Sequence, residues 1–129
     1  MRYLALGDSY TCGEQVSAGE SWPVQLAALL RRHGAAVADP QMVARTGWTT
    51  SELSAGLDQA APSGRFDLVS LLIGVNDQYR SGKVEAYRLG FRALLREHME
   101  RRRDNGRLLW NLLMLQLWQS RHFGGGDLL

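Results

Sequence analysis

Apolar runs at three places along the chain predict three strands. Residues 3–6 (YLAL) run into Gly7, and residues 68–73 (LVSLLI) run into Gly74. Uninterrupted runs of this length are typical of strands that are buried on both faces of a parallel sheet. A weaker run at residues 41–44 (QMVA) lies between them and predicts a short additional strand.

Helical patterns separate these strands. Ser21 as an N-cap, with Pro23 in the first turn, predicts the start of a helix, and Gly34 marks its end. Residues 49–60 begin with Thr, Thr, Ser and Glu, which predicts a second helix with a side-chain cap. Residues 83 to about 103 have the amphipathic spacing of a third, longer helix.

The repeated order of strand and helix predicts an α/β fold. Strands that alternate with helices pair in a parallel sheet, and the helical crossovers between parallel strands are right-handed in nearly all known cases. Residues 108–118 are apolar enough to form a fourth strand, but their Leu, Met and Gln content favours a helix.

The composition of the chain changes near Arg96. Alanine occurs thirteen times before this residue and not once after it. We therefore distinguish an α/β core at residues 1–95 from a helix end and a Leu-, Arg- and Gly-rich tail at residues 96–129. Such a change is typical of an end that is spliced, frame-shifted or truncated.

Charge and composition exclude several classes of protein. The formal net charge is +2, and the excess lies in residues 96–129, where three adjacent arginines are typical of a solvated surface. No aromatic residues interleave with them, which argues against nucleic-acid binding. No apolar run is long enough for a membrane span, no signal peptide is visible, and Cys12 is the single cysteine. These features predict a soluble cytoplasmic protein without a membrane partner.

Candidate chemistry follows each predicted strand. Ser9 comes after the first strand, Gly47 after the second and Asn76 after the third. The carboxyl ends of parallel strands are where ligands bind in open α/β sheets. Ester hydrolysis needs a nucleophile and donors for the developing oxyanion, which a serine hydroxyl, a glycine N–H and an asparagine amide can provide.

The stretches that contain these residues, GDSYTCGE, RTGWTT and IGVND, together resemble the SGNH, or GDSL-type, hydrolases. These are serine esterases, lipases, thioesterases and deacetylases with a three-layer α/β/α fold and a flavodoxin-like parallel sheet. The resemblance covers about residues 1–95. It implies that Ser9 is the nucleophile and that the Ser9 N–H, the Gly47 N–H and the Asn76 side chain form the oxyanion hole. It also implies that no metal or organic cofactor is needed.

The chain departs from the family at the catalytic base. The family's last motif is Asp-x-x-His, and here no Asp lies three residues before any His. His122 has this spacing from Gln119, but an uncharged Gln cannot stabilise an imidazolium as a carboxylate does, so His122 is a weak candidate base. We expect structural or solvent-exposed roles for His33 and His98. Because the stretch from Asn76 to His122 is short for the rest of the family fold, we expect a truncated sheet of three to four strands.

Five further residues near these motifs have more ordinary interpretations. Asp8 can orient the turn locally, and Cys12 is expected to be a packed small side chain. Trp48 and Tyr79 could line an acyl pocket or cover the edge of the sheet. Asp77 is expected to brace the segment that carries Asn76.

The sequence leaves two functions open. The first is a serine ester hydrolase acting on a small acyl ester, a thioester or an acetylated sugar through an acyl-enzyme on Ser9. The alternative is a catalytically incomplete family member, either a remnant or a binding module. A phosphate-binding domain is disfavoured because neither confident strand is followed by a glycine-rich phosphate loop. The expected partner is a small-molecule ester, and an exposed sheet edge would favour a homodimer.

Overall fold

Strands and helices alternate along residues 1–80 and 83–100, the part of the chain that the computed structural model describes. Besides a short 3-10 helix at Ala18–Glu20, the elements are β1 (Tyr3–Gly7), α1 (Ser9–Cys12), α2 (Trp22–Arg32), β2 (Gln41–Ala44), α3 (Thr50–Ala60), β3 (Leu68–Leu72), α4 (Val75–Arg80) and α5 (Val84–Glu100).

The three strands form one parallel sheet with β1 in the middle. The strand order is β2-β1-β3, so the first strand in the chain pairs with both of the others. All five residues of β1 are buried, as expected for a central strand covered on both faces. At its carboxyl end Gly7 lies opposite Ala44 of β2 and Leu72 of β3. The three strands therefore end at the same level.

Helices cover both faces of this sheet. Because side chains alternate along a strand, Leu4 and Leu6 of β1 face one layer and Tyr3 and Ala5 face the other. The first pair packs in a cluster with residues of α3 and α5, including Leu53, Leu57 and Leu94. The second pair packs with Ala27 of α2 and with Val37. The fold is thus the three-layer α/β/α arrangement with a parallel sheet that the sequence predicted.

Most predicted elements have the expected bounds. Strand β2 coincides with residues 41–44, α3 starts after its cap at Thr49, and β3 is one residue shorter than predicted. The long helix begins at Val84. Two short helices were not predicted, because α1 and α4 have only four and six residues and no periodicity can be read from such lengths. Asn76 therefore lies on a helix and not in a loop.

Several predictions concern residues outside the described part of the chain. They include the apolar stretch at residues 108–118, most of the Leu-, Arg- and Gly-rich tail, and the candidate base His122 with Gln119. Among the helices of the described part, none has the length and apolar character needed to cross a membrane.

Candidate active site

The candidate site lies at the edge of the sheet where all three strands end. Ser9 follows Gly7 of β1 by two residues, Gly47 follows Ala44 of β2 by three, and Asn76 follows Leu72 of β3 by four. The register aligns the three strand ends, so these residues all leave the sheet at its carboxyl edge. This is the edge at which parallel α/β sheets bind ligands.

Ser9 is the first residue of α1, directly after a sharp exit from β1. The exit depends on close approach at Gly7, where an added Cβ would lie 2.1 Å from Thr11 Oγ1 and 2.4 Å from the Leu72 carbonyl oxygen. Only glycine fits there, so the chain can turn into α1 at once. Ser9 is half-buried, and as a first helical residue its N–H has no acceptor within the helix.

Asp8 is the N-cap of α1, and its carboxylate accepts a hydrogen bond from the Tyr10 N–H at 3.0 Å. This is the local role that the sequence favoured. The residue is only 1% exposed. Burial raises the pKa of the Asp8 carboxyl, while the hydrogen bond from Tyr10 lowers it and the nearby charge of Asp77 raises it further. A buried carboxylate therefore lies directly behind the candidate nucleophile.

Gly47 occupies the third position of a tight turn between β2 and α3. The Trp48 N–H donates to the Arg45 carbonyl oxygen at 3.2 Å, and Gly47 has a φ of +82°. Thr46 is not among the residues with positive φ, so the turn is of type II. Types I and II differ by a rotation of the central peptide, which here carries the Gly47 N–H. The positive φ of Gly47 thus decides where this donor points.

Asn76 lies in the first turn of α4 and is hydrogen-bonded to the same segment. Its Nδ2 donates to the Trp48 carbonyl oxygen at 2.9 Å. A side-chain amide has two N–H donors, so this bond fixes the amide plane and leaves the second N–H for another acceptor. The structure therefore brings two of the predicted oxyanion donors, those of Gly47 and Asn76, to adjacent parts of one edge.

Asp77 ties α4 to the start of α3. Its carboxylate accepts from the Thr50 N–H at 3.0 Å and from the Thr50 hydroxyl at 2.7 Å, and both residues are buried. The neighbouring Tyr87 of α5 donates to the Ile73 carbonyl oxygen, and burial together with the charge of Asp77 raises its pKa to about 12. This agrees with the expectation that Asp77 braces the segment that carries Asn76.

The sequence did not identify Arg80 and Glu52 as part of this region. Arg80 Nη1 donates to the Glu52 carboxylate at 2.6 Å and to the Gly47 carbonyl oxygen at 3.3 Å. Glu52 also accepts from the N–H and hydroxyl of Thr49, completing a capping box at the start of α3. The bond from Arg80, with those from Thr49, lowers the pKa of the Glu52 carboxyl to about 2. The Thr-x-x-Glu spacing shows the capping box in the sequence, but the contact with Arg80 depends on the fold.

The aromatic residues near the site differ in their surroundings. Trp48 packs against the core cluster, and a Cβ added at Gly56 of α3 would lie 2.3 Å from its ring. Tyr79 is 84% exposed. The Trp48 ring thus packs against α3, whereas the Tyr79 side chain is exposed to solvent.

Cys12 belongs to the first motif and contacts the second. Its Sγ is 3.7 Å from the Ser9 carbonyl oxygen and 3.9 Å from Thr46 Oγ1. These contacts place α1 beside the turn that contains Gly47. The partly buried thiol is packed between the two segments, as the sequence predicted.

Among the three histidines, the structure describes the side chain of His33 alone, and it does not lie beside Ser9. His33 caps the C-terminal end of α2 and is exposed. Because α2 leads into the start of β2, His33 lies toward the opposite edge of the sheet. His98 falls within α5, and His122 lies outside the described part. Within residues 1–80 and 83–96, whose side chains the structure describes, no three His, Cys, Asp or Glu side chains are grouped so that they could hold a metal ion.

Solved structures with a similar fold include two esterases and TesA. AlinE4, an SGNH-hydrolase family esterase, is 26% identical with a TM-score of 0.67, and the match covers 78% of this chain and 53% of that one. TesA matches with a TM-score of 0.70 at 18% identity over 78% and 55% of the two chains. The psychrotrophic esterase EstA from Pseudoalteromonas sp. matches with a TM-score of 0.60 at 21% identity over 77% and 54%. At their lower identities, the matches to TesA and EstA show similarity of the fold alone.

The chain spans about half the length of these solved structures. No match is found among curated proteins. Residues 5–124 match the GDSL-like Lipase/Acylhydrolase family, a longer stretch than the 1–95 on which the motifs lie. With its parallel sheet and three motifs in order, the chain belongs to the GDSL-like lipase/acylhydrolase family.

Proposed function

We propose that this protein hydrolyses a small acyl ester, a thioester or an acetylated sugar, with Ser9 as the nucleophile. The observation that carries the proposal is the alignment of Gly7 with both Ala44 and Leu72. Because of this alignment, the segments that carry Ser9, Gly47 and Asn76 leave the sheet at one edge. Membership of the GDSL-like lipase/acylhydrolase family supports the reaction class.

The reaction begins with attack of the Ser9 hydroxyl oxygen on the carbonyl carbon of the ester. The serine proton passes to a base, and the carbonyl oxygen becomes an oxyanion. The Gly47 N–H and the second N–H of the Asn76 amide donate to this oxyanion, together with the Ser9 N–H. Collapse of the intermediate expels the alcohol or thiol, which takes up the proton held by the base, and leaves an acyl group on Ser9. Water then hydrolyses this ester, releasing the carboxylic acid and restoring the Ser9 hydroxyl. Each oxyanion donor is worth roughly 100- to 1,000-fold in rate in comparable sites.

His122 is the candidate base in this scheme. Its partner by spacing is Gln119, which can accept a hydrogen bond from the imidazole through its amide oxygen but carries no charge. Loss of the carboxylate from a Ser-His-Asp triad lowers kcat by about 10,000-fold. This substitution is the observation that favours the second candidate function, a family member that keeps the fold and binds esters without hydrolysing them.

Labelling with a fluorophosphonate probe separates the two functions. The probe reacts with an activated serine, and peptide mapping identifies the residue that is modified. We expect the wild-type protein to be labelled at Ser9 and the Ser9→Ala variant to remain unlabelled. A Ser63→Ala variant serves as the control, because Ser63 is exposed and lies in the segment that leads into the start of β3, away from the strand ends that carry the motifs, and its loss should leave labelling unchanged.

The His122→Ala variant tests the base in the same experiment. Labelling that disappears in this variant would support His122 as the base of a working hydrolase. If folded wild-type protein is not labelled at Ser9, the hydrolase proposal is wrong and the non-catalytic function is favoured. The expected ester substrate and the homodimer through a sheet edge both remain predictions.

A further inference from the structure

One face of α4 holds two consecutive carbonyl groups of the turn that contains Gly47. Asn76 and Arg80 are four residues apart, so their side chains project from the same side of the helix. Asn76 donates to the Trp48 carbonyl oxygen at 2.9 Å, and Arg80 donates to the Gly47 carbonyl oxygen at 3.3 Å. The carbonyl groups of Gly47 and Trp48, which follow the central peptide of the turn, are therefore both held by hydrogen bonds from α4.

Arg80 is itself held in place by Glu52. The ion pair between Arg80 Nη1 and the Glu52 carboxylate measures 2.6 Å. Glu52 cannot move freely, because it also accepts the two hydrogen bonds from Thr49 that cap α3. One nitrogen of Arg80 thus joins the helix that carries Asn76, the turn that carries Gly47 and the start of α3.

We propose that Arg80 is a positioning residue for the oxyanion hole, acting through Gly47 and held in place by Glu52. This inference rests on the proposed function of the site. Arg80 does not need to touch the substrate. By its bond to the Gly47 carbonyl oxygen, Arg80 keeps the Gly47–Trp48 peptide in the orientation that a type II turn requires. The preceding peptide, which carries the Gly47 N–H, then stays directed toward the oxyanion.

The Arg80–Glu52 ion pair is exposed, so its effect on the position of the turn can be measured apart from its effect on stability. The Arg80 and Glu52 side chains are 58% and 41% exposed. Ion pairs with this exposure contribute little to the stability of a fold, since water and salt screen them. Removing Arg80 should therefore leave the thermal unfolding midpoint nearly unchanged while releasing the turn.

The first measurement follows the Gly47 amide by NMR and does not depend on catalysis. In the Arg80→Ala variant we expect the Gly47 and Trp48 amide signals to shift and to show exchange broadening that the wild-type protein lacks. Arg31→Ala is the matched control. Arg31 likewise bonds a backbone carbonyl, that of Val37, and a carboxylate, that of Asp39, but on the segment that leads into the start of β2. If the Gly47 amide is unchanged in Arg80→Ala, the inference is wrong, whatever the activity of the protein.

The second measurement is the rate of labelling at Ser9 as a function of probe concentration. We expect Arg80→Ala to lower the maximal rate by up to about 100-fold, the effect that a misplacement of about 1 Å can have, with little change in the half-saturating concentration. Arg80→Lys should restore part of the rate, because a single nitrogen makes both contacts in the wild-type protein. An unchanged rate in Arg80→Ala, with wild-type Ser9 labelled, would overturn the positioning role but not the proposed function.

The Glu52→Gln variant distinguishes the ion pair from the helix cap. Glutamine can replace glutamate in a capping box, so α3 should still start at the same residue. The charge that holds Arg80 is lost, and we expect a smaller decrease in rate in the same direction as Arg80→Ala. If Glu52→Gln labels Ser9 at the wild-type rate and Arg80→Ala does not, Glu52 is not the group that holds Arg80, and that part of the proposal is wrong.

Discussion

At the scale of single residues, Gly47 matters for its backbone conformation. An added Cβ at this position would meet no atom within 4 Å, so there is room for a side chain. The φ of +82° is what excludes other residues, because a left-handed conformation costs an L-residue roughly 1–2 kcal/mol.

The Gly47→Ala substitution tests this distinction. Alanine favours the type I form of the turn, in which the central peptide is rotated and the Gly47 N–H points away from the oxyanion. We expect the rate of Ser9 labelling to fall by about 100- to 1,000-fold, the usual effect of losing one donor. The labelling rate and the urea unfolding curve should be measured on the same sample.

Gly34→Ala provides the control for backbone strain. Gly34 has a φ of +86°, and an added Cβ there would also meet nothing within 4 Å. It follows the C-terminal end of α2, away from the candidate site. Both variants should lose a similar free energy of unfolding, but only Gly47→Ala should lose labelling. Equal loss of labelling in both would mean that general destabilisation explains the effect.

Asp8 gives a prediction about pH, again at the scale of one residue. Its pKa in the folded protein is raised, chiefly by burial, so the folded state binds this proton more tightly than the unfolded state does. The contribution of Asp8 to stability is therefore greatest below the unfolded pKa and is lost as the pH rises through the folded pKa. In the Asp8→Asn variant this loss is absent, because the side chain does not titrate.

The measurement compares urea unfolding of wild type and Asp8→Asn from pH 3 to pH 7. We expect the difference in free energy to move in favour of the variant as the pH increases above about 4, near the usual Asp value. A difference that is constant with pH would contradict the raised pKa. A difference that moves in favour of the wild type would mean that hydrogen bonding to the carboxylate outweighs its burial.

At the scale of elements, α3 and α4 are joined by a buried carboxylate, that of Asp77. Asp77→Ala removes the acceptor of the Thr50 N–H and of the Thr50 hydroxyl. Hydrogen bonds to a charged group contribute about 1.5–3 kcal/mol, and a buried donor without a partner costs a similar amount. We expect Asp77→Ala to lower the free energy of unfolding by about 2–3 kcal/mol in urea titration.

Thr50→Val removes the hydroxyl and leaves the backbone donor, so it isolates one of the two bonds. It should cost about 1.5 kcal/mol, the lower end for one bond to a charged group and less than Asp77→Ala. In the double variant the Thr50 substitution should add little, because its partner is already absent. Fully additive losses would show that the two residues do not act on each other.

The elements also show what the sequence could and could not predict. Strand β2 and the start of α3 were predicted because their signals are local, namely a short apolar run and a Thr-x-x-Glu cap. Helix α4 was missed because six residues are too few for a pattern. The bond between Arg80 and Gly47 was missed because it joins residues 33 positions apart. Contacts of this kind exist only once the sheet has brought the strand ends together.

At the scale of the whole molecule, the place of the candidate site at one edge of the sheet was predictable from the order of the motifs along the chain. Parallel strands place their carboxyl ends together, so motifs after three strands had to share one edge. The orientation of each donor was not predictable, because it depends on a positive φ at Gly47 and on the amide bond from Asn76 to Trp48. The catalytic base was not identified from the sequence either, since Gln119 takes the place of the acid before His122.

The central place of β1 has a consequence for how the protein folds as it is synthesised. β1 leaves the ribosome before both of its neighbours, and its second neighbour, β3, begins only at Leu68. Until then one edge of a wholly apolar strand has no partner, and pairing over long sequence separations is slow. A nascent chain of this kind exposes a surface that invites aggregation, which molecular chaperones commonly shield. Ser9 therefore leaves the ribosome early, yet Asn76 and Arg80 reach the same edge of the sheet only after β3 and α4 have emerged.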